Sequence, residues 1–256
     1  MGIMMLIIKA ITDWKKFRKS IPPENSMGFV PTMGALHEGH LSLVDKSVQE
    51  NDLTVASIFV NPSQFNDPSD LEKYPRDFNS DAQLLESRGV DSVFFPAEEE
   101  MYPNDYRYRI TENEKSKIME GAHRPGHFDG VLTVVMKLLN LVNPTRIYFG
   151  EKDYQQLMLI RDMVSSFFLD VKIVGCPTIR ENDGLALSSR NSLLTMGERA
   201  KAPVFSKALH SRKSAGNIKL ELTDSGFDVD YIDDHYGRRF GAIKLGNVRL
   251  IDNVKL

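Results

Sequence analysis

Residues 28–44, G-F-V-P-T-M-G-A-L-H-E-G-H-L-S-L-V, run from an apolar strand through a tight turn into a helix. Phe29 and Val30 end the strand, and Pro31-Thr32-Met33-Gly34 turn the chain. His37 and His40 follow, separated by Glu38-Gly39, and Leu41, Leu43, Val44 and Val48 then mark an amphipathic helix. The first turn of a helix offers unpaired N–H groups and the positive end of its dipole. Anions bind there. Two imidazoles in such a turn are suited to holding phosphate.

The same alternation extends outward. Leu6–Ile8 predicts a short strand and Asp13–Ser20 a helix, which Pro22-Pro23 ends. Met27–Val30 reads as the first core strand, Leu41–Gln49 as helix, and Leu53–Val60, rich in β-branched residues, as a strand covered on both faces. Residues 61–79 carry Pro62, Pro68 and Pro75 and read as a long loop of the functional kind. Ser80–Arg88 (helix, with Gly89 as C-cap), Val90–Phe95 (strand), an irregular 96–114, Gly130–Val142 (helix), Arg146–Phe149 (strand), Asp153–Phe167 (helix) and Val171–Cys176 (strand) complete the series.

Such alternation predicts an α/β fold with a doubly wound parallel sheet, ligands lying beyond the carboxyl ends of the strands. Near residue 177 the character changes. Pro177–Arg190 reads as a loop, Gly197–Ser211 as one helix, and 212–256 as short strands at Asp228–Ile232, Ala242–Leu245 and Val248–Ile251. The expected division is 1–177, a nucleotide- and substrate-binding domain, and 178–256, a small α+β lid.

Composition narrows the functional classes. With 32 basic and 35 acidic residues the net charge is −3, which argues against the broad basic surface that nucleic-acid binding needs. Cys176 is the one cysteine, so no intrachain disulfide forms, and its apolar run suggests a buried side chain. The apolar start, M-G-I-M-M-L-I-I-K, is too short for a signal h-region, and no run approaches the ~18 apolar residues of a membrane span. The expected location is the cytoplasm. Histidines outside H-E-G-H are scattered, so no zinc-type spacing occurs.

Four further segments carry polar chemistry. In F-V-N-P-S-Q-F (59–65), Asn61 and Gln64 offer neutral amides, suited to a substrate with hydroxyls and a carboxylate. In E-G-A-H-R-P-G-H-F-D-G-V (120–131), Arg124 precedes a helix within a Gly/Pro-rich loop, a good phosphate contact, while His123 and His127 read as ordinary polar residues. In F-G-E-K-D-Y-Q-Q (149–156), Gly150 permits close backbone approach, Lys152 supplies a point charge, and Asp153 can accept from ribose hydroxyls. In D-G-L-A-L-S-S-R-N (183–191), Ser188, Ser189 and Arg190 form an anion nest if their N–H groups converge.

H-x-G-H after the first core strand is the signature of the nucleotidyltransferase superfamily, and the longer P-T-M-G-A-L-H-E-G-H-L-S-L-V resembles the pantothenate synthetase (pantoate–β-alanine ligase) family. F-V-N-P-x-Q-F, R-P-G-H-F-x-G-V, G-E-K-D-x-Q-Q and L-S-S-R-N resemble the same family, densely over 27–195 and thinly beyond, where the second domain looks shorter than is usual. The resemblance implies a Rossmann-like sheet and ATP-dependent joining of pantoate to β-alanine through an acyl adenylate. It implies catalysis by His37, His40, Lys152 and Arg190. ATP would be bound by these and by Met33, Arg124, Gly150, Asp153, Ile179 behind the adenine, Leu187, Ser188 and Ser189. Pantoate and β-alanine would meet Asn61, Gln64 and Gln156. Magnesium would arrive mainly on the ATP phosphates, with Asp81 as a candidate contact, and the chain would form a homodimer. Two other readings stay open: a nucleotidyltransferase acting on a phosphate-bearing substrate, and a nucleotide-binding regulator without catalysis.

Overall fold

The computed structural model describes residues 5–256; residues 1–4, part of the apolar amino end, lie outside the described residues. Strands β1 (Leu6–Ile8), β2 (Met27–Thr32), β3 (Leu53–Ile58), β4 (Ser92–Phe94), β5 (Arg146–Gly150) and β6 (Lys172–Cys176) form one sheet in the order β1-β4-β3-β2-β5-β6. Every pairing in it is parallel. The chain builds outward from β2 through β3 to β4, then crosses to the other side of β2 for β5 and β6. The reversal falls between β2 and β5, so their carboxyl ends flank the crevice where a doubly wound sheet binds ligands.

The helices between the strands are α1 (Ile11–Ser20), α2 (Glu38–Glu50), α3 (Pro68–Lys73), α4 (Phe78–Ser87), α5 (Glu98–Met101), α6 (Glu120–His123), α7 (His127–Val142) and α8 (Tyr154–Ser166). Side chains alternate across the sheet. Met27, Phe29, Val55, Phe94, Ile147 and Phe149 pack with α1, α7 and α8. Val30, Ala56, Ile58, Val93, Tyr148 and Cys176 pack with Leu43 and Val44 of α2 and Leu85 of α4. Trp14 is fully buried against Phe94, and its indole N–H donates to Leu141 O at 2.8 Å, tying α1 to the end of α7. At Gly28 a Cβ would lie 2.1 Å from Ser47 Oγ, so glycine is what lets α2 sit this close to β2.

Beyond β6 follow α9 (Met196–Lys201), α10 (Pro203–Leu209), α11 (Ala215–Asp224) and an antiparallel sheet, β7 (Asp228–His235), β8 (Arg238–Leu245) and β9 (Val248–Lys255). This part has its own apolar core of Phe205, Leu209, Ile218, Leu222, Ile243 and their neighbours. A smaller cluster, Met119 with Tyr231, Phe240 and Ala242, joins it to the larger part.

Several expected elements differ. The helix expected over 197–211 is two, because Pro203 has no N–H and opens α10 instead. Within 212–256, expected as strands alone, α11 forms with Ser214 Oγ accepting from Asn217 N–H. The three strands are longer than their apolar runs. Arg238 and Arg239 look like surface residues in the sequence, yet both are buried in β8 and held by Asn253 and Asp234. Tyr236 and Gly237, both at positive φ, make the tight turn joining β7 to β8. The loop expected at 61–79 contains a 3-10 turn (62–64), α3 and the start of α4. Helices α2 and α7 begin earlier than their apolar positions suggest, at Glu38 and His127.

Candidate active site

Thr32 ends β2 with its hydroxyl donating to Ser57 O at 2.7 Å and accepting from Gly34 N–H at 3.2 Å. The next turn of chain is held from outside. Asp81 on α4 accepts from Ala35 N–H (2.9 Å) with one carboxylate oxygen and from Leu36 N–H (2.8 Å) with the other. Asp81 is 3% exposed, and burial raises its pKa against the pull of those two N–H groups. Asp81, the expected metal contact, thus has each carboxylate oxygen on a backbone N–H. Its oxygens clamp the turn before His37, and it lines neither cavity described below.

His37 caps α2, its Nδ1 accepting from Gly39 N–H at 3.1 Å. That bond assigns the proton of the neutral ring to Nε2. His40 lies one turn on, the ring centroids 4.1 Å apart. Burial, then the positive charge of Lys152, brings His37 down to about 4. Burial, His37 and Lys152 bring His40 down to about 3. Both imidazoles are thus neutral hydrogen-bonding groups near pH 7, and positive charge in the crevice comes from Lys152, Arg124 and Arg190.

The turn after β3 is built around Asn61, which is 1% exposed. Its Nδ2 donates to Gln64 Oε1 and Gly130 O, both at 3.1 Å, and its Oδ1 accepts from Tyr102 (2.8 Å) and Ser63 (3.0 Å) hydroxyls. All four hydrogen-bonding positions of the amide are used, so Asn61 shapes the pocket by holding Gln64 and α7. A Cβ on Gly130 would lie 2.4 Å from Ser63 O, which is why α7 can approach this turn so closely.

Arg124 donates to Glu120 Oε1 (3.2 Å), His127 Nε2 (3.3 Å) and Gln64 O (3.1 Å). His127 Nδ1–H donates to the same Gln64 carbonyl at 2.8 Å. Burial, then the Arg124 charge, lowers His127 to about 4. His127, read in the sequence as an ordinary polar residue, is a buried brace between Arg124 and the Gln64 turn. Its spacing three residues after Arg124 was the available signal. His123 is exposed beside Tyr231 and stays outside the site. Glu120 also receives Arg249 Nη1 from β9 at 2.7 Å. Burial acts against its charge, but the Arg249 and Arg124 guanidiniums prevail and hold it at about 2.

β5 ends at Gly150, and Glu151–Asp153 form a 3-10 turn that leads into α8. Lys152 is largely buried, its Nζ 3.8 Å from Asp153 Oδ2. Across the crevice Ser188 Oγ accepts from Arg190 N–H, and the Arg190 guanidinium donates to Asp70 Oδ2 at 3.1 Å. Asp70 and Tyr74 carried no motif in the sequence, yet they flank Arg190 and Ser189 at the crevice mouth. Cys176 is buried, and its thiol is pushed up to about 11 by that burial, which makes it a poor nucleophile.

Two connected cavities occupy this space. One, about 250 Å³, lies beside His37, His40, Met33, Asn61, Gln64, Gly150, Ile179 and Leu187, with Val131, Val134 and Leu138 as an apolar wall. The other, about 990 Å³, lies between the parallel sheet's loops and β8–β9. They share Tyr74, Arg124, His127, Lys152, Asp153, Gln156, Ser188, Ser189 and Arg190. Every expected site residue except Asp81 lines one or both.

The family model described as Pantoate-beta-alanine ligase matches residues 6–255. A pantothenate synthetase of Bdellovibrio bacteriovorus is 54% identical over 253 residues, covering 99% of this chain and 100% of that protein. One of Legionella pneumophila is 52% identical over 252 residues, covering 98% and 100%. The crystal structure of a pantoate-beta-alanine ligase from Francisella tularensis, complexed with beta-gamma ATP and beta-alanine, superposes with a TM-score of 0.94 at 44% identity, covering 98% of this chain and 97% of that one. A pantothenate synthetase from Thermus thermophilus gives 0.90 at 42% identity, covering 98% and 99%. These relatives are spanned almost end to end, so the expected shortening of the second domain does not hold against them.

Proposed function

The chain belongs to the pantoate-beta-alanine ligase family, and we propose that it condenses pantoate with β-alanine, using ATP, through a pantoyl adenylate. The observation that carries this reading is the convergence of H-E-G-H, G-E-K-D and L-S-S-R on one crevice at the ends of β2 and β5. A carboxylate does not react with an amine near neutrality. Attack of the pantoate carboxylate on the α-phosphorus breaks the bond to pyrophosphate and leaves a mixed anhydride. The uncharged β-alanine amine then attacks the acyl carbon, AMP leaves, and the amine's surplus proton is lost.

No covalent nucleophile is required, so positioning and charge stabilisation carry the catalysis. His37 and His40 act as neutral N–H donors to the phosphates. Lys152, Arg190 and Arg124 supply positive charge, and Ser188 and Ser189 line the same phosphate site. Met33, Gly150, Asp153, Ile179 and Leu187 bound the nucleoside. Asp70 is then a stand-in anion that ATP phosphate displaces from Arg190.

Pantoate, a dimethyl diol acid, suits the apolar α7 wall of the smaller cavity, which it shares with the nucleoside. Val131, Val134 and Leu138 meet its methyl groups, and Gln64 and Gln156 meet its hydroxyls, with Asn61 holding Gln64 in place. Gln64→Ala and Gln156→Ala should each raise KM for pantoate by roughly 1–3 kcal/mol of lost binding, with KM for ATP within a few fold. Titrating each substrate against saturating partner checks this. Weakened ATP binding with intact pantoate binding would put these residues on the wrong wall.

Magnesium accompanies the ATP phosphates in this reading. Among the described residues no group of three His, Cys, Asp or Glu side chains converges to hold a metal, and Asp81 is committed to backbone, so no step is assigned to the ion. Residues 178–256 serve as the lid over 1–177. The protein works as a homodimer in the cytoplasm; sedimentation as a monomer at micromolar concentration would refute the dimer. No helix among the described residues is long and apolar enough to cross a membrane.

The decisive experiment is pyrophosphate–ATP isotope exchange. Exchange should require pantoate and be independent of β-alanine. A need for β-alanine would indicate a concerted reaction. Exchange without pantoate would mean another acceptor, and none under any condition a regulator.

A further inference from the structure

The turn that carries Lys152 is not held by its own domain alone. Asn253 on β9, 102 positions after Glu151, is 2% exposed. Its Nδ2 donates to Glu151 O at 2.9 Å and to Lys152 O at 2.8 Å. Its Oδ1 accepts from Arg238 Nε at 2.6 Å, which leaves the amide only one orientation. Arg238 is fixed in turn: its guanidinium lies 4.1 Å from the centroid of the Tyr154 ring, and Nη1 is 3.5 Å from Glu151 Oε2. The neighbouring Asp252 anchors the same stretch of β9 by accepting both Arg180 nitrogens at 2.6 and 2.9 Å.

We propose that Asn253 is a positioning residue for the reaction: by clamping the Glu151 and Lys152 carbonyls it makes the location of the Lys152 ammonium depend on docking of the C-terminal sheet. The assignment rests on the reading of Lys152 as the group that stabilises the transferring phosphate. A lysine head can swing on its flexible stem, but its Cα cannot move while both carbonyls of its turn are held. Once they are released, the turn can shift, and a displacement of about 1 Å at a catalytic group costs on the order of 10²-fold in rate. Pantoate, met by Gln64 on the turn after β3 and by Gln156 on α8, is insulated from the clamp, because the start of α8 is held separately by Gln155, which donates to Lys115 O and Ile118 O and accepts from Glu120 N–H.

The test uses Asn253→Asp and Asn253→Ala, each alone and combined with Lys152→Ala, with urea unfolding run beside the kinetics. Asn253→Asp keeps the shape and the Arg238 partner but sets a carboxylate against two carbonyls, so the fold has a route to survive where the alanine variant loosens it. Each single variant should lower kcat by about 10–100-fold, with KM for pantoate within about three-fold. In the Lys152→Ala background the same change should cost less than about two-fold, because the group it positions is gone. Retention of kcat, a loss confined to pantoate KM, or full multiplication of the Lys152→Ala loss would overturn the proposal. A Lys152→Ala variant with unchanged kcat would instead overturn the reading of Lys152.

Discussion

Lys152→Ala is expected to lower kcat by about 10²–10³-fold, or about 2.7–4 kcal/mol, the scale of losing one donor to a developing oxyanion. The reason lies in the charge state of its neighbours. His37 and His40, suited by sequence to gripping phosphate, are held neutral by burial and by Lys152 itself. In the proposed reaction they would donate hydrogen bonds to phosphate without adding net charge. Lys152 is therefore the cation on the β5 side of the crevice, opposite Arg190. Its attraction grows as charge builds on the departing pyrophosphate, so the loss should fall on kcat more than on KM for ATP. Steady-state titration of ATP at saturating pantoate and β-alanine measures the split. Full kcat with a raised KM would show uniform binding of ground and transition states.

The second large effect is on stability in acid. His127 titrates at about 4 in the folded protein, because burial and then Arg124 disfavour its charge. Unfolded, it returns to about 6.5. Between these values the unfolded chain binds a proton that the folded chain does not, so stability rises with pH. The contribution is fully present above about pH 6.5 and is lost as pH falls toward about 4. Its size is on the order of 3 kcal/mol. His37 and His40 shift in the same direction and add to the slope. Urea unfolding of the native chain and of His127→Gln, at about pH 7 and about pH 4, isolates the term. Carboxylate titration is common to both proteins and cancels. Equal pH dependence in the two would show that His127 is accessible to protons in the folded state.

Much of the site was legible because its pieces are local in sequence. H-E-G-H, G-E-K-D and L-S-S-R each sit at or just after a strand end, and strand–helix alternation predicts a parallel sheet whose strand ends share one edge. A carboxylate at a helix start is equally suited to a metal, a helix dipole or, as at Asp81, two backbone N–H groups, and the sequence does not choose among them. At Asn61 the sequence cannot show that Tyr102, Ser63, Gln64 and Gly130 occupy the positions of its amide. Helix α11 was hidden by its charged face, although Ser214 and the Ile218–Leu222 pair marked it.

Periodicity, turn residues and short motifs are properties of neighbouring positions; by themselves they determined the doubly wound sheet and the crevice edge, and the family resemblance the motifs carry named many of the groups that reach it. Charge state and rigidity were decided only by the tertiary structure. Burial sets whether His37, His40 and His127 are cations, and burial is a property of the packed whole. Contacts with the C-terminal sheet set how firmly the turn carrying Lys152 and the Arg124–Glu120 pair are held. Asn253 and Arg249 reach those groups from more than a hundred residues away, beyond the range of any local pattern.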